Sequence, residues 1–347
     1  MSLNAPLGYS YVERNEIAMK PEEFREKCKG IVPVQYCPYT KDCASIDLEA
    51  LKKNTQFLVD FAKEGDKDVL IMTNGSTTEF YANSIEEQQS VIKTVVDTVS
   101  GAVPVIAGVS EAGTEKAVRM AKYAEEVGVD CAIAALPYYH TPFKEGVYRH
   151  FKAIADAVNI GIMIYNNPDV SGAIIDPELM ARLSKIDNIV ALKDNTPIVG
   201  EYFFKTLLIE AEDMALLNGT GEISYVASAA YGLRYKGFVT FIGNFAPQLS
   251  YELYQAVEKE KDFVKGQEVL RKLAPLWSLI VKFSAKRTSL SLIPGGYKAS
   301  YAYMDLGKTA MDLIPGLYGG PIRLPLQDTT DEEKEELREA LKKMGLI

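Results

Sequence analysis

The chain has 347 residues, 47% of them apolar, with a formal net charge of −9 and a pI near 5.1. That is enough for one large core with a smaller appendix. The acidic balance argues against nucleic acid or an anionic membrane as a partner, and no apolar run reaches the length of a membrane span.

Residues 1–29 read as a polar N-terminal extension, with a short helix opening at Pro21 and running to Lys29. A regular alternation then begins. Ile31–Cys37 reads as the first strand and Asp47–Ala62 as its helix, with Leu48, Leu51, Leu58 and Phe61 spaced for one face. Val69–Thr73, Val103–Val109, Asp130–Ala135 and Ile160–Tyr165 are the next strands. They are followed by helices over Ile85–Val99, Thr114–Val127, Gly146–Val158 and Pro177–Ser184. Ile189–Lys193, Met214–Leu217 and Gly237–Ile242 complete the strands, with helices over Val199–Glu212, Glu222–Tyr231 and Pro247–Glu258.

Eight strand–helix units over residues 30–260 predict a parallel sheet closed into a (β/α)8 TIM barrel. An open doubly wound sheet is disfavoured, because no Gly-rich dinucleotide fingerprint follows the first strand. After residue 260 the alternation stops. Residues 261–347 read as a small C-terminal helical region, with helices over Phe263–Phe283, Ser300–Leu306 and Thr330–Lys343.

Cys28, Cys37, Cys43 and Cys131 have no CxxC spacing, so no disulfide framework is expected. The N-terminus lacks a charged-then-apolar export pattern, and a cytoplasmic setting is expected. His140 and His150 are the only histidines, too few for a His-rich metal site. Neither a metal nor an organic cofactor is called for.

In such a barrel the chemistry sits at the C-terminal ends of the strands. The stretch Ile189-Val190-Ala191-Leu192-Lys193 places a lysine at the end of an apolar strand. Burial there disfavours the ammonium and lowers its pKa, and a neutral amine is what attacks a ketone to form a Schiff base. The plainer reading is a lysine that reaches solvent or pairs with Asp194. Gly75-Ser76-Thr77-Thr78 offers hydroxyls and N–H groups suited to a carboxylate, or an ordinary turn. Tyr165 and Tyr139 are phenols able to relay protons, or rim aromatics. Glu79 reads as a base or as the partner of buried loop donors. Asn218-Gly219-Thr220-Gly221 ends the seventh strand.

In this order, Gly75-Ser76-Thr77-x-Glu79, Pro137-Tyr138-Tyr139, Tyr165-Asn166-x-Pro168, Lys193 and Gly237-Phe238-Val239-Thr240 resemble the dihydrodipicolinate synthase / N-acetylneuraminate lyase family of pyruvate-type class I aldolases and lyases. The 28 residues from Tyr165 to Lys193 match that family's spacing, and Gly319-Gly320-Pro321-Ile322-Arg323 resembles its C-terminal region.

The resemblance implies a lyase whose partner is a small 2-keto acid. It makes Lys193 the Schiff-base lysine and Tyr165 the general acid/base. Ser76 and Thr77 would hold the keto-acid carboxylate, with Thr77 linking Tyr165 to Tyr139. In the family that second tyrosine enters from a neighbouring subunit, so a homo-oligomer, tetramer or dimer, is implied. The Val239 carbonyl would face the lysine, and Gly219 would line the substrate site.

Three departures stand out. Thr78 replaces a usual glycine, and Cys37-Pro38-Tyr39 replaces Thr-Pro-Phe. Val170 stands where dihydrodipicolinate synthases carry an arginine that grips the second substrate's carboxylate. Valine cannot replace a bidentate cation. The expectation is therefore an aldolase or lyase of the family that is not a dihydrodipicolinate synthase, with Asn167, Asp169 and Ser171 suited to a polyhydroxylated chain. Two alternatives share the residues: a hydro-lyase of a 2-keto-3-deoxy sugar acid, and a non-catalytic keto-acid binder, which would not need the proton relay. The stretch Lys286–Tyr297 is longer than in the core family.

Overall fold

Eight parallel strands form the centre of the computed structural model, which describes residues 19–196, 199–287 and 301–347. They are β1 (Gly30–Pro33), β2 (Ile71–Thr73), β3 (Val105–Gly108), β4 (Cys131–Ala135), β5 (Gly161–Asn166), β6 (Ile189–Asp194), β7 (Ala215–Asn218) and β8 (Tyr235–Thr240). From β2 to β8 each strand pairs with its successor, and β8 returns to β1 in the register Gly30–Gly237 to Pro33–Thr240. Parallel bridges Ile31–Val69 and Val34–Met72 join β1 to β2, bringing the sheet round into a nearly closed (β/α)8 barrel. The closing seam requires glycine. A Cβ on Gly237 would sit 2.0 Å from the Gly30 carbonyl oxygen, and Gly30 itself has φ +93°.

The expected elements are present with ends shifted by a few residues. β1 stops at Pro33, yet Val34 and Gln35 still donate alternately to Thr240 and Met72, as a parallel strand does. β8 stops at Thr240 because the chain turns into a short 3-10 helix, Ile242–Asn244, whose Gly243 N–H donates to the Thr240 hydroxyl. A short helix over Pro168–Ser171 is unpredicted, opened by a proline after the Asn167 cap. Residues 1–18 of the N-terminal extension, Ser300, and most of the Lys286–Tyr297 stretch lie outside the described residues.

Two apolar layers divide the strand side chains. Val32, Met72, Ile133, Met163 and Leu217 fill the barrel interior, joined by Phe24 and Cys28 from the N-terminal segment. Ile31, Ile71, Ile164, Ile189 and Leu192 face the surrounding helices. Strict alternation along β6 from the outward Ile189 would turn Lys193 outward as well. Instead the β5–β6 register slips between Ile162 and Met163, which face Ile189 and Ala191. Val190 and Ala191 then both lie in the interior cluster, Leu192 faces out, and Lys193 points in.

A third cluster joins the barrel's upper loops to the C-terminal helices. Tyr36, Ile242 and Phe245 pack with Leu276, Ile280 and Phe283 of helix Phe263–Lys286, with Leu306 and Met311 of helix Ala302–Leu313, and with Leu337 and Leu341 of helix Asp331–Lys343. Buried charge fixes this region in place. The Lys308 ammonium donates to Glu79 Oε1 at 2.8 Å and to the Cys37 carbonyl at 2.8 Å. The Arg323 N–H donates to Glu79 Oε2 at 3.0 Å. Glu79 therefore holds the loop after β2 to the C-terminal region and is not a base in the cavity. Removing one member of such a pair leaves the other charge buried and unpaired. Glu79→Ala is expected to destabilise the chain by about 3–5 kcal/mol, read as a lowered midpoint of urea unfolding.

Candidate active site

The C-terminal strand ends surround a cavity of about 270 Å³, with Lys193 and Tyr165 in its wall. The two are register partners on β6 and β5. The Lys193 Nζ lies 4.1 Å from the centroid of the Tyr165 ring and 4.0 Å from the Met72 sulfur. The side chain is 6% exposed, and burial pushes its pKa down to about 7. No carboxylate among the described residues pairs with it. Asp194, the nearest in sequence, points to the other side of the sheet. There its carboxylate receives Lys205 Nζ at 3.0 Å, Asn166 at 3.0 Å and the Thr196 hydroxyl at 2.6 Å.

Tyr165 is held by two neighbours. Asn167 Nδ2 donates to its phenol oxygen at 2.6 Å, and the Ser76 hydroxyl is its second partner. Burial outweighs both bonds and pushes the phenol pKa up to about 12, so the group carries its proton at neutral pH. Ser76 and Thr77 line the same cavity from the loop after β2. Asn74 anchors that loop by donating to Gln88 at 2.9 Å and to the Gly108 carbonyl at 2.8 Å. Thr78, the unusual residue of this loop, turns away from the cavity and donates to the Gln35 carbonyl at 2.7 Å. Among the described residues nothing accepts from the Ser76 and Thr77 backbone N–H groups, which suits an incoming anion.

Lys193, Tyr165, Ser76, Thr77, Gly219 and Val239 thus meet at one cavity. A Cβ at Gly219 would fall 1.9 Å from Asn195 Oδ1, so a larger residue there would displace the Asn195 side chain. Three expected residues do not join them. Ser171 spends its hydroxyl on the carbonyls of Asn167 and Ala173, at 2.9 and 3.0 Å. Asn167 is buried and committed to Tyr165 and to the Asp169 N–H. Neither lines the cavity, so the polyol-binding set shrinks to Asp169. Tyr139 is 79% exposed and stacks edge-on against His140, outside the cavity. Within one chain, then, Tyr165 is bonded through Ser76 and Asn167, and no Thr77–Tyr139 relay forms.

Residues not singled out beforehand also line the cavity: Asn195, Thr220, and from the C-terminal region Trp277, Ile280 and Tyr303. Asn195, two residues past Lys193, was legible as part of the same strand end. The C-terminal contributors carry no local signal, because only tertiary packing brings them over the barrel mouth.

An unpaired, desolvated lysine beside a protonated phenol at the C-terminal mouth of a (β/α)8 barrel is the arrangement of a class I aldolase or lyase. The dihydrodipicolinate synthetase family model matches residues 27–344. The 4-hydroxy-tetrahydrodipicolinate synthase of Methanopyrus kandleri is 32% identical over 323 residues, covering 92% of this chain and 97% of that protein. The enzyme of that name from Acetivibrio thermocellus is 33% identical over 312 residues, covering 89% and 95%. The crystal structure of dihydrodipicolinate synthase from Aquifex aeolicus superposes with a TM-score of 0.77 at 29% identity, covering 92% of this chain and 98% of that one. The chain belongs to the dihydrodipicolinate synthetase family, whose members are class I aldolases and lyases.

The lysine environment has a direct readout. With reductively ¹³C-methylated lysines, one resonance assigned to Lys193 by its absence in Lys193→Ala should titrate near pH 7. Exposed lysines titrate near ~10.4. A Lys193 midpoint above pH 9 would contradict its desolvation.

Proposed function

We propose that this protein is a Schiff-base aldolase acting on pyruvate or a related 2-keto acid, and that it is not a dihydrodipicolinate synthase. The observation that supports the first part is the buried Lys193 with Tyr165 alongside it. Desolvation leaves a far larger share of such an amine uncharged and nucleophilic at neutral pH than for an exposed lysine. The keto-acid carboxylate would lie on the Ser76 and Thr77 N–H and hydroxyl groups, which places C2 toward Lys193. Attack by the amine forms a carbinolamine. Tyr165, protonated, gives its proton to the departing hydroxyl, and water leaves as the iminium forms. The Val239 carbonyl fits as an acceptor near the nitrogen.

The second part rests on Val170. It supplies no cation to a distal carboxylate, whatever the named activity of relatives such as the M. kandleri enzyme. A charge-assisted pair is worth about 1.5–3 kcal/mol, or roughly tenfold to a hundredfold in rate. The retained lysine and phenol speak against a binder without turnover.

No helix among the described residues is long and apolar enough to cross a membrane, and a cytoplasmic setting fits this reading. The chain presents exposed apolar side chains that suit a homo-oligomer: Tyr139, Phe143, Phe204 and Leu207, the last two on helix Val199–Leu208. Tyr139, absent from its own cavity, would then reach into that of a partner subunit.

Pyruvate with borohydride should leave a stable mass adduct on the peptide carrying Lys193, and Lys193→Ala should leave none. Tyr165→Phe should lower kcat by about 10²–10⁴. Condensation of pyruvate with aspartate semialdehyde should be at least about tenfold less efficient than with an uncharged aldehyde. Product analysis separates cleavage or condensation from dehydration. Light scattering should show an oligomer at micromolar concentration, and a monomer would remove the interface role of Tyr139.

A further inference from the structure

Beside the lysine lies a second cavity of about 280 Å³. Its walls include Phe80, Tyr81, Tyr138, Val170, Tyr303 and Met304, and among the described residues that line it none is charged. It is not separate from the chemistry. Ser76 and Tyr303 also line the Lys193 cavity, and a narrow space is lined jointly by Lys193, Tyr165, Ser76, Phe80, Tyr138 and Val170. The two cavities adjoin at Ser76 and Tyr303, so an aromatic-walled space stands next to a ligand bound to Lys193.

The walls choose among ligands. An apolar cavity of ~150 Å³ takes up a benzene ring, so this one has room for an aryl or branched aliphatic group. Phe80 and Tyr81 already stand edge to face at 5.9 Å, a geometry a third ring can extend. The polar groups in the cavity lining are the Ser76 and tyrosine hydroxyls, set among rings and aliphatic side chains with no amide or charged side chain among the described lining residues, which suits a ring or alkyl group better than a chain hydroxylated at every carbon. A distal carboxylate fares worse. Two buried cations of the C-terminal region are committed elsewhere, Arg323 to both oxygens of Glu87 at 2.7 Å and Lys308 to Glu79 at 2.8 Å.

We propose that the second substrate is an uncharged apolar aldehyde, aromatic or branched aliphatic, whose side group seats against Phe80, Tyr81, Tyr138 and Val170. The proposal rests on the Schiff-base reading and deepens it. Loss of a C3 proton from the pyruvate iminium to the Tyr165 phenolate, left when water departed, gives an enamine on Lys193 and restores the Tyr165 proton. Its electron pair forms the new C3–C4 bond to the aldehyde carbon, and the nitrogen returns to iminium. The aldehyde oxygen takes the Tyr165 proton, balancing the one lost from C3. Water then hydrolyses the iminium, restoring the amine and releasing a 4-hydroxy-2-keto acid. The reverse sequence cleaves it.

The test measures kcat/KM of the full-length protein with pyruvate and each of benzaldehyde, glyceraldehyde and aspartate semialdehyde. Benzaldehyde is expected to lead by at least about tenfold. In Val170→Arg the ratio of benzaldehyde to aspartate semialdehyde should fall by about a hundredfold. Tyr81→Ser, at a half-exposed wall position, should raise the KM for benzaldehyde more than that for pyruvate, and serves if the arginine variant does not fold. A lead for glyceraldehyde or aspartate semialdehyde, or no turnover of benzaldehyde, overturns the proposal. If borohydride still traps pyruvate on Lys193 in that case, the Schiff-base reading stands. If no adduct forms, both fall.

Discussion

The candidate active site is organised around a lysine buried without a counter-charge among the described residues. An ammonium in this position has lost its water and gains no carboxylate in return, which is why burial alone moves its pKa toward neutrality. The nearest candidate to cancel that effect is Asp194, the very next residue. Had it faced the interior, it would have stabilised the ammonium and made the amine a poor nucleophile. The slip in β6 register prevents this. It turns Lys193 inward and Asp194 outward, where Lys205, fully buried, takes the carboxylate at 3.0 Å. Two adjacent residues thus have opposite electrostatic fates, and the sheet between them is the partition.

The buried Lys205–Asp194 pair also shows how the strand end is held. Asn166, Thr196 and Tyr235 all bond the same carboxylate, with Tyr235 at 3.3 Å. The desolvation cost of a buried ion pair is offset only when the remaining hydrogen-bonding capacity is satisfied, and here it is. These contacts sit behind Lys193 and Tyr165 and keep β5, β6 and β8 in fixed relation. A comparable arrangement secures the roof. Arg287 is bidentate to Asp305 at 2.9 and 2.7 Å and reaches Glu333 at 3.0 Å, tying the three C-terminal helices together above the barrel mouth.

Position 170 stands where the Lys193 site meets the neighbouring cavity. The unpredicted helical turn Pro168–Ser171 begins with Asn167, whose side chain both caps it and bonds Tyr165. The same few residues therefore orient the Tyr165 phenol and present residue 170 to the neighbouring cavity. A valine there continues an aromatic wall and brings no charge of its own.

The barrel was legible in the chain because each short apolar strand, followed by an amphipathic helix, has only one economical way to bury both faces. Lys193, Tyr165, Ser76, Thr77 and Gly219 were legible because strand ends in this topology converge, so spacing along the chain translates into position around a mouth. The roles of Asn167 and Ser171 were misjudged because their side chains are short and bond local backbone or Tyr165, a choice that depends on the helical turn they sit in. Trp277, Ile280 and Tyr303 had no local signal at all. The direction in which Lys193 points is the sharpest case. Four apolar residues in a row do not reveal a bulge, since a strand buried on both faces shows no alternation to break. Sequence alone determined that a lysine ends this strand. Only the tertiary packing of β5 against β6 decided that it faces the cavity while its neighbour faces away.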